Sequence, residues 1–351
     1  MKVALDISPI QGTASLQHRV RGTGFYTKNL KDALLTYDKK NSYVFFSRGQ
    51  AIPQADIVHY PYFEPFFLTL PIFHSQKTVV TVHDLTPLVF PNNFPSGIKG
   101  IIKWNLQKLA LQKVDAIIAD SESSKKDIVK FTNIPAEKIH VVYLAAGNEF
   151  KKITFSESKK KELLKKYNLP EKFCLYVGDI TWNKNLPRIV SAATEAKIPL
   201  VLVGKALTVS EYDKTNPWNS DRNKVFELIK NNPYIYRTGF VSDDDLVMLY
   251  NSAVVAVMPS LYEGFGLPII EAMSCGCPVI TSKEGSLPEV AGDAALYVDA
   301  YNTSSIANGM KTFFSELETQ KKYAKMGLAQ SQKFSWEKVA KETSDIYNSL
   351  K

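Results

Sequence analysis

Two glutamates, Glu263 and Glu271, lie eight positions apart in the stretch SLYEGFGLPIIEAMSCGCPVITS, whose other residues are mostly small or apolar. An ionised carboxylate is costly in apolar surroundings unless it accepts hydrogen bonds, and paired hydroxyl groups such as those of a ribose can donate them. The same spacing also fits a solvated loop acid at Glu263 and an acid at Glu271 that complements a helix dipole. The two acids by themselves leave both interpretations open.

The residues around these acids predict a strand, a loop and a helix. The preceding run AVVAVMPS is typical of a buried parallel strand, and Pro268 suits the first helical turn because its missing N–H would be unpaired there. The backbone of Phe265, Gly266 and Leu267 then forms the helix entrance, where free N–H groups attract anions. Because open α/β sheets bind ligands at the carboxyl ends of their strands, we expect Glu263 to project from a binding loop.

Short β-branched runs alternate with helical patterns along all 351 residues, which is typical of parallel α/β sheets. The predicted strands lie in KVALDI, DIVHY, TVVTVHD, DAIIAD, IHVVYL, FCLYVGD, IPLVLVG, YIYRTGF, AVVAVMPS, CPVITS and ALYVD. The chain is longer than one hydrophobic core usually organises. A lysine-rich linker places the boundary near residue 168, so we expect domains over residues 1–168 and 169–334 and an amphipathic C-terminal helix over 335–351, capped by Ser335.

Composition narrows the class of protein further. No run of eighteen apolar residues occurs, and the start MKVALDISPIQG has no signal-peptide pattern, so a cytoplasmic protein is expected. The three cysteines fall in apolar runs and are predicted to be core residues. The net charge of +8 suggests anionic partners, and a lysine-rich solvated surface is the alternative. Nucleic acid is not expected, because no basic run is interleaved with aromatic residues, whereas a phosphate-bearing ligand or an anionic membrane surface fits.

The stretch around the two glutamates, continued by GSLPEVAGDAALYVD, closely resembles the donor-site signature of retaining glycosyltransferases of family 4. The resemblance extends over nearly the whole chain, through RGTGFYTKNL, TVHDLTPLVFP, IIADSESSKKDI, YVGDITWNKNLPRIVSA, TGFVSDDDLVMLYNSA and FSWEKVAKETSDIY. It implies the GT-B fold, in which two Rossmann-like domains face across a cleft and the C-terminal helix crosses back to the first domain. It also implies that the substrate is a nucleotide sugar and that no cofactor or metal is needed.

The resemblance assigns roles to the donor-side residues. Glu263 would bind hydroxyls of the donor sugar, and Glu271 would bind the ribose. The amides of Phe265, Gly266 and Leu267 would hold sugar or phosphate, which agrees with the affinity of an amide-lined helix start for a diphosphate.

Lys184, which follows the strand in FCLYVG, would neutralise the leaving diphosphate in place of a metal. Relatives commonly carry an arginine directly after the preceding glycine or just before this lysine, and here those places hold Asp179 and Asn183. One expected cation is therefore missing. Lys205, just past the strand in IPLVLVG, is the first candidate substitute and Arg21 the second, although Lys205 is equally compatible with an exposed loop lysine.

The first domain also supplies candidate site residues. His83 and Asp84 end a predicted strand, and the resemblance implies that His83 contacts the donor sugar near the reacting carbon. We group Asp84 with the donor-binding residues, and it could instead orient His83 or bind the acceptor. Gly22 and Gly24 allow a tight loop before a helix, where amides can approach a phosphate. These glycines start too far after the first strand, and lack the third glycine, for a dinucleotide-binding fingerprint.

These observations lead to one expected function and one alternative. We expect a metal-independent retaining glycosyltransferase that moves a hexose to a glycan or lipid-linked acceptor. HDLTPLVFP most resembles mannosyltransferases that use GDP-mannose. The D-x-D of SDDDL is interpreted as the capped first turn of a helix rather than a metal site. Because the expected arginine is missing, the alternative is a degenerate GT-B protein that binds a nucleotide sugar or a partner without transfer. No dedicated feature indicates a pyridoxal-dependent phosphorylase.

A basic segment in the first domain is a candidate membrane contact. The stretch PNNFPSGIKGIIKWNLQKLALQKV contains Lys99, Lys103, Lys108 and Lys113 and no acid between residues 97 and 113. Its apolar positions spread widely, so one face could pack on the domain while Trp104 and the lysines stay outside. This would suit peripheral contact with the anionic inner face of a membrane. An ordinary amphipathic helix with solvated lysines is the alternative.

Overall fold

The computed structural model describes residues 1–11, 22–209 and 211–351, which form two compact units. The first unit comprises residues 1–145 and 334–351, and the second comprises residues 146–333. Arg21, the second candidate for the missing cation, lies outside the described residues.

The described residues of the first unit form a parallel six-stranded sheet. Its strands are β1 (Lys2–Asp6), β2 (Ser42–Phe46), β3 (Ile57–Tyr60), β4 (Lys77–Val82), β5 (Ala116–Ala119) and β6 (Ile139–Val141). They lie in the order β2-β1-β3-β4-β5-β6. Its helices up to residue 145 are α1 (Gly22–Tyr37), α2 (Thr86–Val89), α3 (Gly97–Leu111) and α4 (Glu122–Thr132). Because β4 and β5 are parallel neighbours, the residues that follow them meet at one edge of the sheet.

Strands β3 and β5 are buried along their whole length, as expected for a parallel sheet that is covered on both faces, and β5 is entirely apolar, whereas β3 includes the buried His59. This continuous burial explains why the central strands are readable from sequence. Strand β2 was not predicted. Among the described strands it pairs with β1 alone, at the edge of the sheet, and only its last residue, Phe46, is buried. Its run SYVFF is nevertheless rich in strand-forming residues, so the strand was readable from the sequence.

The second unit repeats this architecture within its described residues. Its strands are β7 (Cys174–Val177), β8 (Leu200–Val203), β9 (Ile235–Gly239), β10 (Val255–Met258), β11 (Val279–Thr281) and β12 (Leu296–Tyr297). Its helices are α5 (Glu157–Lys166), α6 (Leu186–Ala196), α7 (Ser220–Ile229), α8 (Asp243–Ser252), α9 (Leu267–Ser274), α10 (Leu287–Ala291), α11 (Thr303–Ser315) and α12 (Leu317–Ser331). The strand order is β12-β11-β10-β7-β8-β9. It reverses between β7 and β10, which is where sheets of this type bind ligands.

The last helix, α13 (Trp336–Ser349), belongs to the first unit, as expected for the C-terminal helix. Ser335 caps it as predicted, accepting a hydrogen bond from the Lys338 amide at 3.2 Å. Its buried face packs on α1, where the Trp336 ring lies 6.2 Å from the rings of both Phe25 and Tyr26. The apolar side of this helix therefore completes the core of the first unit.

The boundary between the units lies at residues 145 and 146 rather than near residue 168. Residues 146–168, between the observed and the predicted boundary, are hydrogen-bonded to α8. The Ile153 amide donates to Asn251 Oδ1 at 2.9 Å. Lys166 Nζ and the Tyr167 hydroxyl donate to Asp245 Oδ2 at 2.7 and 2.6 Å. The lysine-rich stretch is polar because it lies on the surface of the second unit, so its composition alone resembles that of a linker.

All three cysteines, Cys174, Cys275 and Cys277, lie in the described part of the chain as buried free thiols, which confirms their predicted place in the core. Within the described ranges, no helix combines the length and the apolar character needed to cross a membrane.

Candidate functional site

Lys184 and Glu263 meet where the strand order of the second sheet reverses. Lys184 ends the short 3₁₀ helix Trp182–Lys184 after β7, and Glu263 lies in the loop after β10. Lys184 Nζ lies 2.8 Å from Oε1 and 2.7 Å from Oε2 of Glu263, and Ser260 Oγ donates to Oε1 at 2.7 Å. The two charged side chains are 24% and 12% exposed, so the pair is largely enclosed yet reachable. Two residues predicted separately therefore form one ion pair.

The Lys184 turn is also fastened to the Glu263 loop through Asn183. The amide of Leu261 donates to the Asn183 carbonyl at 2.7 Å, and Asn183 Nδ2 donates to the Tyr262 carbonyl at 3.0 Å. Asn183 is one of the two positions where the resemblance predicts an arginine. The resemblance predicts a positive charge at residue 183, but the Asn183 side chain instead links the turn that carries Lys184 to the loop that carries Glu263.

Asn185 holds the same turn from the other side and was not predicted. It adopts the left-handed conformation (φ 60°), which asparagine tolerates better than most residues, and it is buried. Its Nδ2 donates to the carbonyls of Pro259 and Ala300 at 3.0 and 2.7 Å. The asparagine directly after Lys184 was the available signal in the sequence.

The helix entrance at α9 has the predicted composition. Gly266 is the N-cap with a φ of 99°, and Pro268 lies in the first turn. Ser286 Oγ lies 2.9 Å from the carbonyl oxygens of both Glu263 and Phe265. Phe265, Gly266 and Leu267 thus lie together at the start of α9, and Ser286, which was not predicted, holds the loop that leads into it.

Gly285 allows the Glu263 loop to approach closely. Its φ is +57°, and a Cβ at this position would lie 2.9 Å from the Glu263 carbonyl oxygen and 3.1 Å from its amide nitrogen. Both the conformation and the space therefore require glycine here.

Glu271 lies one turn into α9, and the Tyr250 hydroxyl on α8 donates to its Oε2 at 3.1 Å. Tyr250 is completely buried. Burial, reinforced by the Glu271 charge, raises the pKa of Tyr250 well above its usual value, so the hydroxyl stays a donor. Tyr250 was not predicted, although it lies inside a stretch that carries the family resemblance.

Lys205 begins the short 3₁₀ helix Lys205–Leu207 directly after β8, and its side chain is exposed. Strand β8 is the neighbour of β7, so Lys205 and Lys184 follow adjacent strands. Gly204 allows the strand ends to lie close together, since a Cβ there would lie 2.1 Å from the Gly178 carbonyl oxygen. Lys205 remains a candidate cation by its position.

His83 follows β4 in the first unit and is paired with an acid that was not predicted. His83 Nδ1 lies 2.7 Å from Oδ2 of Asp120, and its Nε2 lies 3.2 Å from the Pro61 carbonyl oxygen. Burial disfavours the imidazolium, but the charge and hydrogen bond of Asp120 outweigh it, and the pKa of His83 lies above its ordinary value. Asp120 follows β5, the neighbour of β4, and this shared sheet edge was the signal that could have identified it.

The other candidates from the first domain, Asp84, Gly22 and Gly24, lie at the starts of α2 and α1. Oδ1 of Asp84 accepts a hydrogen bond from the Thr86 amide at 2.9 Å, at the start of α2, while Asp120 holds the His83 ring. Gly22 and Gly24 lie in the first turn of α1 rather than in a loop before it. Gly24 is buried.

A buried hydrogen-bond chain connects α13 with the surroundings of His83. Its members are Tyr347, His59, Thr81 and Tyr26. The Tyr347 hydroxyl lies 2.6 Å from His59 Nδ1, and Thr81 Oγ1 lies 2.9 Å from His59 Nε2 and 3.0 Å from the Tyr26 hydroxyl. The Tyr26 ring then meets the His83 ring edge-on, with centroids 4.7 Å apart. Burial, followed by the nearby charge of His83, lowers the pKa of His59 to about 3, so His59 is neutral at neutral pH.

The acids of SDDDL form the first turn of α8, and Ser242 Oγ accepts a hydrogen bond from the Asp245 amide at 3.2 Å. The predicted helix cap is confirmed. The Asp245 side chain is engaged by Lys166 and Tyr167 within the second unit.

The exposed face of α3 is both basic and apolar. We call it the α3 face and define it by the lysines and exposed apolar side chains Lys99, Lys103, Lys108, Lys113, Ile98, Ile101, Ile102 and Leu109, with the adjoining Phe67, Leu68 and Phe73. Ile98 is 80% exposed and Phe73 is 85% exposed. Lys103 Nζ and Lys113 Nζ lie 5.5 and 5.2 Å from the ring centroids of Phe67 and Phe73. Trp104 is not outside as predicted, because it is partly buried and packs against the hydrophobic core of the first unit.

Comparison with known proteins identifies the family. Residues 157–330 match the model described as glycosyl transferases group 1, and residues 14–145 match the model for glycosyltransferase family 4. The chain is 32% identical over 313 residues to O-antigen chain mannosyltransferase B of Escherichia coli, covering 86% of this chain and 78% of that protein. It is 33% identical over 269 residues to the serotype-specific mannosyltransferase WbdA of Escherichia coli, covering 75% of this chain but only 32% of that longer protein.

A solved structure has the same fold. Anabaena HepE in complex with UDP and glucose superposes with a TM-score of 0.74 at 15% identity, covering 99% of this chain and 100% of that one. With both sequence matches in place, the chain belongs to glycosyltransferase family 4 and has the GT-B fold.

Proposed function

We propose that this glycosyltransferase transfers mannose from GDP-mannose to a glycan or lipid-linked acceptor, with retention of anomeric configuration and without a metal. The observation that carries the proposal is the Lys184–Glu263 pair beside the amide entrance of α9, at the reversal of strand order. The choice of mannose rests on the similarity to two mannosyltransferases, O-antigen chain mannosyltransferase B and WbdA. Anabaena HepE binds UDP and glucose, which supports a nucleotide-sugar donor for this fold.

The ion pair is suited to exchange its partners for those of a donor. Lys184 would leave the Glu263 carboxylate for the diphosphate, and Glu263 would accept hydrogen bonds from sugar hydroxyls instead. Each group would replace one partner by another, so neither charge would be left uncompensated. The amides at the start of α9 would share the phosphate charge. This set of groups can stabilise the leaving diphosphate as its charge develops.

Glu271 and His83 would also have roles in this reaction. Glu271, held by Tyr250, would accept hydrogen bonds from the ribose hydroxyls, and His83 would contact the donor sugar near the reacting carbon. In the transfer step, the bond between the anomeric carbon and the phosphate oxygen breaks and the acceptor oxygen bonds to that carbon on the same face. The departing phosphate oxygen takes the acceptor proton, so the nucleoside diphosphate leaves as the second product.

The donor is identified by binding and then by transfer. GDP-mannose, GDP-fucose, UDP-glucose and UDP-galactose would be compared by thermal unfolding, since a donor at a hundredfold its dissociation constant stabilises the folded state by about 2.7 kcal/mol. We expect GDP-mannose to stabilise most, and the NMR spectrum of the product to show the α-configuration of the donor sugar. Preference for another nucleotide, or an inverted product, would contradict the donor or the stereochemistry. Binding without any release of nucleoside diphosphate would instead support the non-transferring alternative.

The proposed independence from metal has its own test. Activity is measured after exhaustive treatment with EDTA and again after addition of Mg²⁺ or Mn²⁺. We expect no loss, because Lys184 and the amides of α9 provide the positive charge at the diphosphate. Loss in EDTA that either metal restores would contradict this part of the proposal.

We further propose that the α3 face touches an anionic membrane surface, where a lipid-linked acceptor would be found. The exposed isoleucines and Phe73 offer apolar contact, and the lysines of the α3 face offer positive charge without an acid between residues 97 and 113. Basic residues close to such a surface contribute about 1 kcal/mol each. A soluble glycan acceptor is the alternative that the vesicle experiment below would favour if binding is absent.

A further inference from the structure

The His83–Asp120 pair must hold one more proton than a neutral histidine next to a carboxylate. The Pro61 carbonyl can only accept a hydrogen bond, so Nε2 of His83 carries a hydrogen. The 2.7 Å contact between Nδ1 and Asp120 Oδ2 then contains a second hydrogen, because two bare acceptors would repel each other. The pair is therefore an imidazolium beside a carboxylate, or its equivalent with the proton moved to Oδ2, and in both forms it is neutral overall.

The surroundings of the pair favour this arrangement. The side chains of His83 and Asp120 are 17% and 4% exposed, so a lone charge would be poorly solvated. Among the described residues, the other titratable groups that face His83 are Asp84, whose charge favours the imidazolium, and the neutral His59 and Tyr26. Burial raises the pKa of Asp120, which also favours retention of a proton by the pair.

Packing alone does not account for an acid at residue 120. Oδ1 of Asp120 is buried and accepts no hydrogen bond from any described residue, which is a cost to stability. The carboxylate is engaged through Oδ2, and its described partner there is His83 Nδ1. The contact of Nε2 with Pro61 is long, at 3.2 Å, so a stronger acceptor could share or replace it.

We propose that Asp120 is a positioning residue for the transfer reaction: it fixes the His83 ring and keeps it doubly protonated, so that Nε2–H is presented to an oxygen of the donor sugar. The inference rests on the proposed function of His83. An imidazolium is a stronger donor than a neutral imidazole. The Asp120 carboxylate cancels its charge, which would otherwise oppose the positive charge that develops at the anomeric carbon.

The first test follows the protons of His83 directly. The intact protein is labelled with ¹⁵N-histidine, and the His83 signals are identified by their absence in His83→Asn. In the wild type we expect both ring nitrogens to be protonated at neutral pH. Asp120→Asn should lower the measured pKa of His83 by about 1 to 3 units, and Asp120→Glu should restore most of the shift. A wild-type His83 that titrates at or below the ordinary histidine value would overturn the proposal without any variant.

The second test connects the protonation to the reaction. Asp120→Asn should lower kcat by roughly 10²-fold with little change in KM for the nucleotide sugar, and Asp120→Glu should recover part of kcat. The matched control is Asp115→Asn, which removes a carboxylate from the opposite end of β5, where Asp115 Oδ2 accepts the Thr78 amide. We expect the control to keep the His83 pKa and kcat of the wild type.

The outcomes separate the inference from the function on which it rests. An unmoved His83 pKa in Asp120→Asn, or a lowered pKa with unchanged kcat, would refute the positioning role. An equal loss in Asp115→Asn would show a general effect of charge on the sheet and would also refute it. If the wild type turns over no nucleotide sugar, the proposed function fails and the reaction role of Asp120 fails with it, while the NMR titration still decides whether the pair holds the proton.

Discussion

The ammonium of Lys184 lies within 2.8 Å of both carboxylate oxygens of Glu263, although the two residues are 79 positions apart in the chain. Each charge is therefore compensated before a substrate arrives. Removing either partner leaves the other partly buried and unpaired, so substitutions at this pair affect both the ligand and the loops that carry it.

Glu263→Gln tests the donor-sugar role of the carboxylate. The amide keeps the shape and can accept from Ser260, but it is a weaker acceptor for sugar hydroxyls whose positions tighten in the transition state. We expect kcat to fall by roughly 10²-fold with an intact fold. Glu195→Gln is the control, since Glu195 lies on α6 and contacts Ser304. Wild-type turnover in Glu263→Gln would remove Glu263 from the reaction.

Glu271→Ala and Tyr250→Phe test the ribose contact in two steps. Loss of the carboxylate should weaken binding of free GDP by about 1 to 3 kcal/mol. Tyr250→Phe keeps the carboxylate and removes only the donor that orients it, so the loss should be smaller. Calorimetric titration with GDP measures both. An unchanged dissociation constant in Glu271→Ala would rule out the ribose role, and a larger effect from Tyr250→Phe would indicate that α8 and α9 had shifted.

Gly285→Ala tests whether the Glu263 loop depends on close backbone contact. The added Cβ would lie 2.9 Å from the Glu263 carbonyl oxygen, and alanine is strained at a φ of +57°. We expect kcat to fall and the melting temperature to drop, because strain of about 1 kcal/mol or more accompanies the displaced loop. Gly49→Ala is a comparison with a positive φ but open space around the Cβ, which should cost stability without reducing kcat. Equal turnover in both variants would contradict the role of the contact.

The buried His59 predicts a pH dependence of folding stability. Its pKa is about 3 in the folded protein, below the ordinary value of 6.5, so the unfolded chain binds more protons between these limits. The stability is fully present above pH 6.5 and is lost as the pH falls towards 3, by at most about 1.4 kcal/mol per pH unit. Urea unfolding between pH 7 and 5 measures the slope. His59→Gln should reduce it, and an identical slope in the variant would show that His59 does not titrate this way.

Lys99→Glu combined with Lys103→Glu tests the membrane contact of the α3 face. At low salt we expect the wild type to bind vesicles that contain phosphatidylglycerol, and the double variant to lose about 2 kcal/mol or more of binding free energy. Added salt should weaken the wild type, because it screens the charges. Lys321→Glu combined with Lys322→Glu, on α12, is the control for net charge. If the wild type does not bind such vesicles at low salt, the membrane contact is wrong and a soluble acceptor is favoured over a lipid-linked one.

Local sequence patterns predict much of the fold. Strands such as β5 and β8 are buried on both faces, so their uninterrupted apolar runs identify them without knowledge of their neighbours. The helix caps at Ser242 and Ser335 are likewise local, because each cap and its amide partner lie three residues apart. Pro268 marks the start of α9 by its own missing N–H, which is also a local signal. The unit boundary was missed, since the attachment of α5 to α8 depends on residues far along the chain. Strand β2 was also missed, although its run SYVFF is a local strand signal.

The family could be identified from the sequence alone, and the sequence also predicts Glu263, Glu271, Lys184 and His83 as site residues. How these side chains pair with one another depends on the tertiary structure. Asp84 is next to His83 in the chain, but Asp120 holds the His83 ring, because parallel strands β4 and β5 bring residues 37 positions apart to one sheet edge. The same reason explains the pairing of Lys184 with Glu263: β7 and β10 are neighbours only because the strand order reverses between them, and a contact of that kind leaves no local signal in the sequence.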